Sequence, residues 1–175
     1  MASQAAPLHA ADPRGPATSR DGRAFLTDTL CHLSLFVQGR PVAKARPRTT
    51  RTGQTYTPAT TVTWEQNVGW QVRQQIAAIA ADGIQLPTPF HGRVLIEMRF
   101  NFTKPKSTPK KVKHKLKKPD YDNLAKSITD VLQASEGGVG IFHDDSQVTD
   151  AVILKRFADE NHPEGVEIEL TCWLS

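Results

Sequence analysis

Four aspartates bracket one amphipathic segment of this chain. Asp120 and Asp122 stand in KKPDYDNLAK, just before or at the first turn of a predicted helix, and Asp144 and Asp145 open a later strand-like stretch. Hard divalent cations such as Mg²⁺ or Mn²⁺ take oxygen ligands, commonly one or two carboxylates plus waters and phosphate oxygens. Two acids one residue apart in an extended segment project from the same face, so Asp120 and Asp122 could share one ion. Asp145 is suited to bring a third carboxylate if its strand packs beside the helix start, with Asp144 close by. Lys126, one helical turn after Asp122, would face the same way. Its ammonium could stabilise charge developing on a phosphate, while the metal polarises the phosphoryl group and acidifies an attacking water.

Each of these residues also has a plain structural reading. Asp120 or Asp122 could cap the helix or favour its dipole. Asp122 and Lys126 could form an exposed pair worth about 0.5 kcal/mol, and Asp144-Asp145 could be turn residues. What those readings leave unexplained is the company the acids keep. Asp130 falls on the exposed side of the predicted helix and takes no role. His143, beside Asp144, is a better candidate base or ligand than His114, but a lone histidine beside a turn is usually incidental.

The chain has 175 residues and a net charge of +4, and that small sum hides a separation. Residues 40–51 carry five basic side chains and no acid, and residues 104–118 carry eight lysines and no acid. These two stretches hold 13 of the 22 Lys and Arg, leaving nine against all 18 Asp and Glu. Such segregation points to a polyanionic partner, since dispersed charge would solubilise the chain equally well. Lys44, Arg46, Arg48 and Arg51 from the first stretch are the candidate phosphate contacts, with Lys110, Lys111, Lys113, Lys115, Lys117 and Lys118 from the second.

The elements that must position these groups follow from periodicity. Residues 1–29, rich in Ala, Pro, Ser and Gly, are expected to be a disordered N-terminal extension, with one domain over 30–175. A strand is expected near 31–38, then a basic loop or hairpin with Pro41, Pro47 and Gly53. A long helix runs from Thr57-Pro58-Ala59 to about residue 81 with Trp64, Val68, Val72, Ile76 and Ile79 on one stripe. Strict alternation over 93–102 makes a strand, and 121–134 makes a second helix with core positions Leu124, Ile128, Val131 and Leu132. Strands at 146–157 and 164–174 follow, joined by a hairpin through Asn161-His162-Pro163. The expected fold is a single α/β (α+β) domain, a mixed sheet with two main helices in the order β-α-β-α-β-β. No apolar run is long enough to span a membrane. Cys31 and Cys172 lack ligand spacing and suit core thiols in a reducing cytoplasm.

The run PDYDNLAKSITDVL, followed by HDDSQV, resembles the RusA family of Holliday-junction resolvases, metal-dependent endonucleases of bacteria and phages. The family pattern is Pro-Asp-x-Asp-Asn-x-x-Lys, a helix, then Asp-Asp-x-Gln-[Val/Ile]. GRPVAKARPRTTRTGQTYTP is similar to the family's basic entry segment, and the likeness covers about residues 32–173. The resemblance implies a homodimer of compact α/β protomers with a Mg²⁺ site in each (Mn²⁺ a possible substitute). It assigns metal carboxylates to Asp120, Asp122 and Asp145, with Asp144 near and Lys126 catalytic. The connector QASEGGVGIFHDD is long and Gly-rich for the family, which leaves the position of Asp145 least defined.

Together these readings predict a cytoplasmic, Mg²⁺-dependent endonuclease that resolves four-way DNA junctions in recombination and repair by paired nicks in opposed strands. Two other classes compete. A non-catalytic DNA-binding recombination accessory protein would bind junctions without cutting them. A hydrolase of small phosphoesters would need far fewer cations.

Overall fold

The computed structural model describes residues 23–26 and 30–173, with side chains from residue 31 onward. The expected N-terminal extension and the last residue of the final predicted strand otherwise lie outside the described residues. Seven strands and two helices follow in order: β1 (Arg23–Leu26), β2 (Leu30–Gln38), β3 (Arg48–Thr49), β4 (Thr55–Tyr56), α1 (Ala59–Ala81), β5 (Val94–Phe102), α2 (Tyr121–Leu132), β6 (Val148–Phe157) and β7 (Gly165–Trp173). A 3-10 turn at Asp145–Gln147 precedes β6. β1, within the segment read as an extension, pairs antiparallel with β2 from Arg23↔Ser34 to Leu26↔Cys31.

The main sheet has the order β1-β2-β7-β5-β6, and β3-β4 form a separate hairpin. Both crossovers, β2-α1-β5 and β5-α2-β6, travel the same way across the sheet. The right-handed rule for such connections therefore puts both helices on one face. That face is the core. Val94, Ile96, Met98, Phe100 and Phe102 of β5 meet Val166, Ile168, Leu170 and Cys172 of β7 and Cys31, Leu33, Leu35 and Val37 of β2. Over them lie Trp64, Val68, Val72 and Ile79 of α1 and Leu124, Ile128, Val131 and Leu132 of α2, all buried. Gly69 lies where the helices meet, and a Cβ there would touch the Val131 side chain at an ordinary 3.5 Å.

One expectation is overturned. β6 and β7 do not form a hairpin: β6 pairs parallel with β5 at the edge, and β7 inserts between β5 and β2, antiparallel to both. The turn residues of 158–164 made a hairpin look natural, but local turn chemistry does not choose a neighbour. Burial does. The inward residues of β7 are wholly buried, which a central strand requires and an edge strand does not.

Among the described residues β1 reaches only as far as Ser34, leaving β2 an open edge beyond it. Two glutamines of α1 close that edge. The Phe36 N–H donates to Gln75 Oε1 at 3.0 Å and Gln75 Nε2 donates to Phe36 O at 2.8 Å. Gln71 makes the same pair of bonds with Gln38, both at 2.9 Å. One helical turn and two strand residues span similar lengths, about 5.4 Å and about 6.8 Å, so glutamines four apart match edge groups two apart.

Candidate metal centre and nucleic-acid interface

A helix joining parallel strands runs antiparallel to them, so α2 starts at the C-terminal ends of β5 and β6. Lys155, near the end of β6, donates from Nζ to the carbonyls of Lys117 and Pro119 and fixes the approach to the helix. Asp120 occupies the N-cap position with extended backbone, yet its carboxylate makes no capping hydrogen bond. Asp122, in the first turn, accepts only a long bond of 3.4 Å from Asn123 Nδ2. Both side chains are exposed. The capping reading of Asp120 therefore does not account for it, and both carboxylates remain available to a ligand.

Cations surround this end of the molecule. The lysine-rich segment runs along the outer edge of β6: Phe157 N–H donates to Lys113 O at 2.8 Å, Lys115 N–H to Lys155 O at 3.3 Å, and His114 bridges Arg156 in register. Lys115 lies over the Phe102 ring at 4.9 Å and Lys104 over Phe157 at 5.8 Å. Burial, then the neighbouring Lys155, Arg40 and Lys117, pull the Lys115 pKa below the ordinary lysine value. Lys110, Lys111, Lys113, Lys117 and Lys118 are exposed. Arg46, Arg48 and Arg51 are also exposed, carried on or beside the β3-β4 hairpin.

Lys44 behaves differently from the other candidate phosphate contacts. Its ammonium sits 2.7 Å from Glu65 of α1 and 3.1 Å from Asp130 of α2, and its N–H donates to Asn123 O at 2.8 Å. It ties the basic loop to both helices. Asp130, expected on an exposed face, is 8% exposed. Lys126 lies 3.4 Å from the same carboxylate. Sequence reasoning missed this cluster because Lys44 and Glu65 come from other elements. The Lys126–Asp130 spacing was the one local signal.

Asp145 stands at the opposite end of α2. Its N–H donates to the side chain of Gln133, the residue that caps the C-terminus of the helix, at 3.0 Å. The twelve residues of α2 rise about 18 Å, so Asp145 does not join Asp120 and Asp122 within one chain. Among the described residues no three His, Cys, Asp or Glu side chains are placed to hold a metal ion. The expected convergence supposed that β6 begins beside the helix start, whereas the crossover makes it begin beside the helix end. The Gly-rich connector doubles back on that end: Val139 and Ile141 N–H donate to Val131 and Leu132 carbonyls, both at 2.7 Å.

At this second end most polar groups other than the exposed Asp145 carboxylate are used internally. Asp144 caps the 3-10 turn, accepting from Ser146 N–H at 3.0 Å. Hydrogen bonds from Ser146, with smaller help from Ser135 and His143, hold its carboxyl below the usual range. Gln147 Nε2 donates to Phe90 O and Gly92 O at 3.0 and 2.8 Å. The His143 ring stands 5.4 Å from that of His91, whereas His114 lies at the other end, held by Arg156 at 3.0 Å.

No helix among the described residues is long and apolar enough to cross a membrane. A search of curated proteins found no match. The family profile of endodeoxyribonuclease RusA matches residues 38–171, from the end of β2 almost to the end of β7. With most of the chain inside that match, it belongs to the RusA endodeoxyribonuclease family, nucleases of branched DNA in bacteria and phages.

Proposed function

We propose that this protein is a Mg²⁺-dependent, structure-selective endonuclease that resolves Holliday junctions in recombination and repair by paired nicks in opposed strands. The observation that carries the reading is the end of α2, where Asp120 and Asp122 stand exposed and uncapped among Lys115, Lys117, Lys118 and Lys155. Carboxylates left uncommitted inside a cationic rim suit a hard cation and a phosphodiester arriving together. Two carboxylates plus waters and substrate oxygens make a sufficient Mg²⁺ set, so the donors fit. When bound, that ion polarises the scissile phosphate and lowers the pKa of the attacking water.

The residues of the chain supply the rest. Asp120 and Asp122 hold the cation, with Mn²⁺ an acceptable substitute. Lys126, one turn along α2, offers its ammonium to charge developing on the phosphate. The exposed arginines of the hairpin and the lysines of residues 110–118 grip DNA phosphates without reading bases. Asp145, about 18 Å away at the other end of α2, completes the site only if a second copy supplies it. A homodimer whose two sites each draw Asp145 from the other copy would give two symmetric cuts.

Purified protein should nick a synthetic four-way junction in Mg²⁺ and not in EDTA, and Asp122→Asn should lose at least about a hundredfold in rate. Full cutting by Asp122→Asn would defeat the assignment. Binding without cleavage in any divalent ion would return the chain to the accessory-protein class.

A further inference from the structure

The sheet face turned away from both helices carries a second concentration of cations. Arg99 and Asn101 of β5 lie two residues apart, and Asn101 stands opposite Arg156 of β6 in register. All three therefore point to the helix-free side. With Lys113, Phe157 and His162 they line a pocket of about 270 Å³.

Three basic side chains, Arg99, Arg156 and Lys113, face two carboxylates, Asp159 and Glu167, so this corner keeps one positive charge in excess. Asp159, also at its wall, is occupied by its own turn, accepting the N–H groups of Asn161 and His162 at 2.9 Å each. Glu167 accepts from Asn101 Nδ2 and contacts His162 Nδ1, both at 2.8 Å, and stands 3.7 Å from Arg99. The close partners of the two guanidinium groups are histidine rings: Arg99 Nη1 lies 3.0 Å from His162 Nε2, and Arg156 Nη1 lies 3.0 Å from His114 Nδ1. The Nε donors of both arginines have no hydrogen-bond partner among the described residues. Unpaired buried donors are costly to leave so. Two guanidinium forks and an ammonium converging on one cavity match a phosphate group better than any side chain nearby.

We propose that this pocket is a phosphate-binding site, distinct from the acid-bearing end of α2. Its ligand is a phosphate group, carried either by the backbone of a bound DNA arm or by free phosphate. Lys113 belongs to the lysine segment along β6, so the pocket continues that cationic strip around the sheet edge. The site does not depend on where the cation-binding carboxylates meet.

The test uses the full chain in EDTA. The Nε–Hε resonances of Arg99 and Arg156 are followed while inorganic phosphate is added, and affinity for a four-way junction is measured against salt. Saturable shifts are expected, lost in Arg99→Gln and Arg156→Gln. If DNA is the source, each variant lowers the log–log salt slope by about 0.9. Shifts with an unchanged slope would identify free phosphate as the ligand. Lys113→Gln, on an exposed loop, should lose the same phosphate-dependent shifts and serves should the arginine variants fail to fold. No phosphate-dependent shift, together with a wild-type slope in the variants, overturns the proposal.

Discussion

The two ends of α2 treat their polar groups in opposite ways. At the C-terminal end most groups other than the exposed Asp145 carboxylate have an internal partner: Gln133 receives the Asp145 N–H, Asp144 caps the turn, and Gln147 bridges to the segment before β5. At the N-terminal end Asp120 leaves the cap unmade and lysines crowd one another. Stability has been built in at the first end and withheld at the second. Sites that bind a ligand commonly break local rules in this way, and the rest of the fold compensates.

That contrast can be broken by substitutions that should act on only one side. Asp120→Asn should abolish junction cutting, by about a hundredfold or more, while leaving thermal stability equal or slightly higher. Gly138→Ala should do the reverse. A Cβ at Gly138 would stand 2.3 Å from Val131 O and 2.4 Å from Gln133 O, both backbone atoms, so the connector must shift. A loss of about 3 kcal/mol is expected in chemical denaturation. If Asp120→Asn costs as much stability as Gly138→Ala, the uncapped end is structural after all.

The Lys44 cluster sharpens the comparison, because it is a stabilised feature near the open end. Burial alone would lower the Lys44 pKa, but the ion pairs with Glu65 and Asp130 outweigh it and raise the pKa above 10.5. A folded pKa above the unfolded one means this stabilisation is complete at neutral pH. It disappears as pH rises above the ordinary lysine value. Asp130→Ala should cost about 2 kcal/mol near neutrality, between the exposed and buried limits, and flatten the alkaline fall in stability. An unchanged alkaline profile would mean the cluster contributes nothing.

The smallest effect concerns the core beneath the closed end. Cys31 and Cys172 face each other across β2 and β7, and Cys172 also pairs with Val94 at the start of β5. Burial pushes their thiols up to about 11 and about 12, with Cys31 adding to the shift of Cys172. Alkylation at neutral pH needs thiolate, so both should react only on unfolding, and the rate should follow global stability. Fast labelling of native protein would show that the closed end opens locally.

Much of this was legible in the chain itself. Alternation in 94–102 and the stripe of α1 gave the core because each element's own period encodes its buried face. The acidic pair at the start of α2 and the cationic segments were plain for the same reason. What local pattern cannot carry is which elements become neighbours. That hid the insertion of β7 between β5 and β2, the burial of Asp130 under Lys44, and the arginine pocket on the far face. It also hid the place of Asp145. Asp145 and Asp120 are near in sequence, but a helix lies between them, and its length sets their separation.

The proposed sharing of each site between two copies is tested directly by mixing inactive chains. Asp122→Asn and Asp145→Asn proteins, each inactive alone, would be unfolded together and refolded as a mixture. If Asp145 serves the other copy, a mixed dimer gathers both substitutions in one site and leaves the second intact. The mixture should then nick one strand of a four-way junction where neither parent does. A mixture as inactive as its parents, with mixed dimers shown to be present, would contradict the account.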